Sequence, residues 1–209
     1  MRSGLFVTIE GCEGAGKSTQ CTLLALALER REHPTFTVRE PGGTPVSEKI
    51  RAILLDPGND EITTRVELLL YLASRAQLVH QVILPALEQG KVVVSDRFHH
   101  STLAYQGGAR GLGLEEVERV NAFATDGLLP DITFLLDLPP EDGFLRKQGT
   151  AVDRMEGAGI EFHRRVRDTF LELAGREEER IVVLDAREPV EKIAEQIENR
   201  VLELLEQKA

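Results

Sequence analysis

Short apolar runs alternate along the chain with longer stretches whose apolar residues recur every three or four positions. The apolar runs predict strands at Leu5–Glu10, Thr35–Arg39, Val92–Asp96, Ile132–Asp137 and Ile181–Asp185. Most are apolar throughout, as strands covered on both faces should be. The longer stretches predict helices at Lys17–Arg31, Val46–Leu55, Thr63–Gln89, Leu114–Asp126, Glu141–Lys147, Ile160–Gly175 and Pro189–Gln207. Pro85 lies inside the third and predicts a kink or a break. Strand–helix alternation is the α/β signature, and right-handed crossovers give a parallel sheet with helices on both faces. Ligands of such sheets bind at the C-terminal strand ends, where Glu10, Arg39-Glu40, Asp96-Arg97, Asp137 and Asp185 fall.

Between the first strand and the first helix runs Gly11-Cys12-Glu13-Gly14-Ala15-Gly16-Lys17-Ser18, followed by Thr19. It fits the phosphate-loop pattern G-x-x-x-x-G-K-[ST] at every fixed position. Successive backbone N–H groups in such a loop cradle a polyphosphate at a helix N-terminus. Lys17 reaches the outer phosphates, and the Ser18 hydroxyl suits the Mg²⁺ of a bound nucleotide. Strand, loop and helix together predict a P-loop NTPase-like three-layer fold.

Length and composition narrow this further. The 209 residues predict one domain spanning residues 1–209, with a small lid. The net charge of −10 makes a nucleic-acid partner a poor fit, because such a partner needs a basic face. No apolar run is long enough to span a membrane, and no signal peptide precedes Leu5. The two cysteines, Cys12 and Cys21, fit a reducing cytoplasm rather than a disulfide scaffold. Cys12 reads as a small residue in a tight loop. The five histidines are scattered, and no His/Cys cluster has metal-ligand spacing. A GTPase switch would need Asn-Lys-x-Asp and Asp-x-x-Gly, and the chain has neither.

Phosphoryl transfer needs positioning, a metal and positive charge around the moving oxygens. Asp96 ends an apolar run and can act on the metal or its waters; Arg97 can bridge donor and acceptor phosphates. Arg39-Glu40-Pro41-Gly42-Gly43-Thr44 is a second glycine turn after a strand, leading into a helix that bears Arg51. Tyr71 and Arg75 stand at i, i+4, so an aromatic plane and a guanidinium share one helix face. Ser101, Thr102 and Gln106 supply hydroxyl and amide groups for a base edge. The polar stretch Gly143–Gly159 carries Arg146, Lys147 and Arg154 and reads as a lid.

These stretches resemble thymidylate kinases, from Leu5 to about Leu205. The most specific is Asp96–Gly107, Asp-Arg-Phe-x-x-Ser-x-x-Ala-Tyr-Gln-Gly. The resemblance implies transfer of the γ-phosphoryl of ATP to dTMP, with Mg²⁺ at Ser18 and Asp96, in a homodimer. It implies that Gly11 to Thr19 hold the donor and that Arg187 lies beside adenine. It implies that Glu13 meets the sugar 3′-hydroxyl, Arg51 and Arg97 the acceptor phosphate, and Tyr71 the face of thymine. Arg75, Thr102 and Gln106 then meet the base edge, and Tyr105 stands near the sugar. Gly14 occupies the loop position where some members carry a catalytic arginine. The chain therefore looks like the bacterial type that places basic residues in the lid, and Arg146 is the first choice. The runner-up is a kinase of another nucleoside monophosphate.

Overall fold

The computed structural model describes residues 3–147, 149 and 153–208. Five strands, β1 (Leu5–Gly11), β2 (Thr35–Arg39), β3 (Val92–Asp96), β4 (Ile132–Asp137) and β5 (Ile181–Asp185), form one parallel sheet in the order β2-β3-β1-β4-β5. The central strands β1, β3 and β4 are buried along almost their whole length, as their apolar runs require. The edge strands are not: Phe36, Thr37 and Val183 are exposed, because an edge strand is only partly covered.

One face of the sheet is covered by α1 (Lys17–Arg30) and α9 (Val190–Lys208). Leu24, Leu28, Ile193, Ile197 and Val201 close there on Val7, Ile9, Val94, Phe134 and Leu136. The other face is covered by α3 (Thr64–Leu78), α4 (Leu84–Glu88), α5 (His99–Thr102), α6 (Leu114–Thr125) and α8 (Ile160–Arg176). Phe6 of β1 meets Phe98 edge-on there, with ring centres 4.8 Å apart. The shorter helices α2 (Pro45–Leu55) and α7 (Pro140–Arg146) frame the C-terminal end of the sheet.

Two helical features depart from the sequence pattern. Pro85 has no N–H for the carbonyl of Gln81, and its ring crowds that carbonyl. The chain answers with a π-helical turn over Val79–Ile83, so the long helix is neither straight nor broken. A second π-helical stretch, Leu103–Ala109, continues α5 where the glycines and hydroxyls of the sequence predict no helix. Packing overrides propensity there. A Cβ on Gly108 would lie 2.1 Å from Thr169 Oγ1 of α8, so the two helices approach at a glycine.

Polar residues on the buried strands are all partnered. Thr8 and Thr133 bond across β1 and β4 at 2.7 Å. Glu10 accepts from the backbone N–H of Phe98 (2.8 Å) and Ser101 (3.2 Å) and from the Ser101 hydroxyl (2.5 Å). A carboxylate from the central strand thus caps the start of α5, which is the order a helix N-terminus favours.

Candidate active site

A cavity of about 530 Å³ opens at the C-terminal ends of β1, β2 and β3. Its floor is the phosphate loop. No side chain caps α1, so its first-turn N–H groups remain for an anion. Lys17 is buried and donates to Cys12 O at 2.7 Å, and burial followed by the charge of Arg97 lowers its pKa. Ser18 Oγ donates to Asp96 in a short contact. Burial pushes the Cys12 thiol up to about 11, which keeps it protonated and inert.

Gly14 has φ 72°, and a Cβ there would lie 2.4 Å from the carbonyl of Gly143 in α7. A Cβ on Gly143 would in turn lie 2.1 Å from Glu13 O. The loop and the lid helix therefore touch backbone to backbone, and any side chain at position 14 would force them apart.

Arg97 follows β3 with φ 71°, a strained conformation for a long side chain. It bonds Glu13 in a short ion pair, Gly11 O at 3.2 Å and Ser101 Oγ at 3.2 Å. Its guanidinium lies 5.2 Å from the centre of the Tyr105 ring, and Tyr105 donates to Glu13 at 3.3 Å. Burial alone would raise the pKa of Glu13; Arg97, then Lys17 and Lys147, outweigh it and bring it down to about 2. Glu13 is therefore a carboxylate at any working pH.

The opposite wall of the cavity is held by two further carboxylates, Glu40 and Glu67. Glu67, Tyr71 and Arg75 lie one turn apart along α3. Arg75 is 1 % exposed, and four hydrogen bonds and an ion pair tie its guanidinium to the protein. They run to Glu40 (Nε at 2.7 Å, Nη2 at 2.5 Å), Thr102 (2.7 Å), Asn121 (2.8 Å) and Phe98 O (2.9 Å). The sequence presents Arg75 as a free fork for a base. In the structure that fork is already engaged by the protein, because buried Glu40 must be neutralised. Burial raises the pKa of Glu40 and Arg75 opposes it. Glu67, 1 % exposed, holds Gln106 (2.9 Å), Arg110 (3.1 Å) and Arg154 (2.8 Å). Arg51 donates to Pro41 O at 2.8 Å, and Glu40-Pro41 is a cis peptide. Burial raises the pKa of Tyr71, which leaves a neutral ring on the cavity wall.

The structure brings most of the expected residues together. Glu13, Gly14, Gly16, Lys17, Ser18, Thr19, Arg51, Tyr71, Arg75, Asp96, Arg97, Thr102, Tyr105, Gln106 and Arg146 all line the cavity. Gly11, Cys12 and Ala15 shape the loop from behind it and do not line it. Arg187 does not reach it: its guanidinium pairs with Asp185 on the surface, at 2.8 and 2.9 Å. The three lid cations divide. Arg146 donates to Gly14 O (3.3 Å) and Ala186 O (2.9 Å), and Lys147 pairs with Glu156 and lies 3.7 Å from Glu13. Arg154 turns away to Glu67 and Leu54 O (2.7 Å). Residues 148 and 150–152 of the lid lie outside those described. Glu10, Glu40 and Glu67 hold cavity side chains or the start of α5 in place; the strand-end rule points at Glu10 and Glu40, and nothing in the sequence singles out Glu67.

A phosphate loop facing a strand-end Asp-Arg and a separate aromatic-guanidinium wall defines a P-loop phosphotransferase with two substrate subsites. The family profile described as "Thymidylate kinase" matches residues 9–197. A thymidylate kinase of Caldanaerobacter subterraneus subsp. tengcongensis is 46 % identical over 202 residues, covering 97 % of each chain. Those of Desulfosudis oleivorans (48 %, covering 91 % of this chain and 92 % of the relative) and Deinococcus radiodurans (48 %, 94 % and 96 %) are similar. The chain belongs to the thymidylate kinase family, and its activity is that of a dTMP kinase.

Proposed function

We propose that the loop side of the cavity holds ATP, the α3 side holds dTMP, and Lys17, Arg97 and Arg146 supply the charge for transfer between them. The observation that carries this reading is the single cavity that joins Lys17 and Arg97 to Tyr71, Arg75 and Thr102. An oxygen of the dTMP phosphate attacks the γ-phosphorus of ATP, and the bond to the β–γ bridging oxygen breaks to leave ADP and dTDP. The loop amides and Lys17 hold the donor phosphates. Arg97 faces both phosphates, fixed by Glu13, Gly11 O and Ser101. Arg51 meets the acceptor phosphate. Charge placed in advance around the moving oxygens is the main catalytic term in such reactions.

Glu13 and Tyr105 face the sugar: the carboxylate accepts from the 3′-hydroxyl, and the ring leaves no room for a 2′-hydroxyl. Tyr71 stacks on thymine. Because Thr102 Oγ1 accepts from Arg75, its own proton is free for a base carbonyl. Gln106 is aimed by Glu67 toward the same edge. A hydroxyl and a carboxylate, Ser18 and Asp96, are the hard oxygen donors that suit Mg²⁺. When bound, Mg²⁺ would offset charge on the β- and γ-phosphates.

The lid assignment rests on Arg146 and Lys147, which line the cavity, and on the contact that reserves position 14 for glycine. Arg146 also bonds Ala186 O, which ties the lid helix to the loop assigned to the adenine side, with Arg187 at the rim of that loop. A homodimer accounts for Val66 and Leu69 on α3 and Phe123 on α6, apolar side chains exposed on two helices packed together. A cytoplasmic enzyme suits the two free, buried cysteines, and no helix among the described residues is long and apolar enough to cross a membrane. Coupled ADP release across a panel of nucleoside monophosphates tests the whole reading. dTMP should give the highest kcat/KM, and a higher value for another monophosphate would overturn the base assignments.

A further inference from the structure

Outside the cavity, His99, His100 and Glu177 converge where α5 begins and α8 ends. Each offers one ligand atom, and the three atoms lie within 4.8 Å of one another. The two imidazoles are 6 % and 2 % exposed, with ring centres 3.8 Å apart. His99 Nδ1 and His100 Nε2 are buried with no hydrogen-bond partner. Buried polar atoms without partners are uncommon and call for a reason. None of the three residues lines the active-site cavity. We propose that His99, His100 and Glu177 bind a transition-metal dication of the zinc type.

The local bonding prepares the ligands. Thr133 Oγ1 bonds both His100 Nδ1 (3.3 Å) and Thr8 Oγ1 (2.7 Å). The Thr133 bond at Nδ1 turns the Nε2 edge of His100 toward Glu177 Oε2, 3.5 Å away. That spacing is close to the ~3.4 Å edge of a tetrahedral zinc site. The Thr133 hydroxyl at Nδ1 orients the ring as metal-binding histidines require. Three protein ligands leave a fourth position for water. Arg180 is the competitor, since it donates to the same Glu177 oxygen at 2.7 Å. The scattered histidine spacing hides this site, because its carboxylate comes from the far end of α8.

The bound ion would staple α5, which carries the segment after Arg97, to the end of α8. The test uses full-length protein stripped by a chelator, without nucleotide, with excess Mg²⁺ filling the oxygen-donor site. Co²⁺ titration should develop visible d–d absorption at one equivalent, and equimolar Zn²⁺ should abolish it. Glu177→Gln, at a half-buried residue whose loss leaves the core intact, should weaken binding by about tenfold or more; His99→Gln should act alike. Arg180→Ala, which removes the competing cation, should tighten it. Absent Co²⁺ absorption in the wild-type protein, or absorption undiminished in Glu177→Gln, would overturn the proposal.

Discussion

The two sides of the cavity are built by different means. The floor, proposed to hold the donor, is one continuous stretch, Gly11 to Thr19, and offers largely backbone amides and one lysine. The wall, proposed to hold the acceptor, is assembled from β2, α3, α5 and the π-helical stretch after it, and offers side chains. Those side chains are aimed by buried carboxylates: Glu10 caps α5, Glu40 holds Arg75, and Glu67 holds Gln106 with two arginines. A phosphate needs only donors and charge, which a loop at a helix start supplies. A base edge needs groups placed to within tenths of an ångström, which requires side chains locked by their own partners. The contrast teaches that generic recognition is local in sequence and specific recognition is not.

The largest effect should come from the floor. Lys17→Ala should lower kcat on the order of 10³-fold with the thermal midpoint little changed, because it removes a fixed cation from the transferring phosphate. Steady-state kinetics alongside a melting curve check this, and wild-type turnover would remove Lys17 from the mechanism. Arg75→Ala should do the opposite on the wall. It leaves Glu40 buried without its partner and should cost about 3–5 kcal/mol of stability in denaturant unfolding. Surviving enzyme should lose dTMP affinity more than ATP affinity.

Smaller effects separate the lid from both sides. Arg146→Ala should reduce kcat on the order of 10²-fold while the KM for dTMP stays near wild type. An effect confined to KM would make Arg146 a binding residue only. Glu13 tests the junction through pH. Its pKa falls from 4.5 to about 2 on folding, so its contribution to stability is present above pH 4.5 and lost as pH falls toward 2. The stability gap between wild type and Glu13→Gln should therefore shrink over that window; a gap independent of pH would show that Glu13 gains nothing from Arg97.

The same contrast governs what the chain's pattern foretells. β2 to β5 fall on the predicted bounds, since an apolar run between turn residues reads directly as a buried strand. The phosphate loop is legible because its eight positions are contiguous. Tyr71 and Arg75 are legible as a pair because helical spacing puts them on one face. Glu67 is not: in a run such as Val66 to Leu72 it reads as a solvated helix residue, and only the fold brings Arg110 and Arg154 to it. The helix over His99–Ala109 escapes notice because its glycines lower local propensity, whereas packing against α8 requires one of them. Arg187 shows the reverse case, a residue singled out by position whose side chain pairs with Asp185 at the surface and does not line the cavity.

The partition of the cavity is tested most directly by calorimetric binding of dTMP and of ATP to Thr102→Val, a change of nearly constant volume. The hydroxyl there accepts from Arg75 and is the group proposed to meet the base edge. dTMP affinity should fall about tenfold, the loss expected for one hydrogen bond in a buried site, with ATP affinity unchanged. Equal losses for both ligands, or none for dTMP, would contradict the assignment of floor to donor and wall to acceptor.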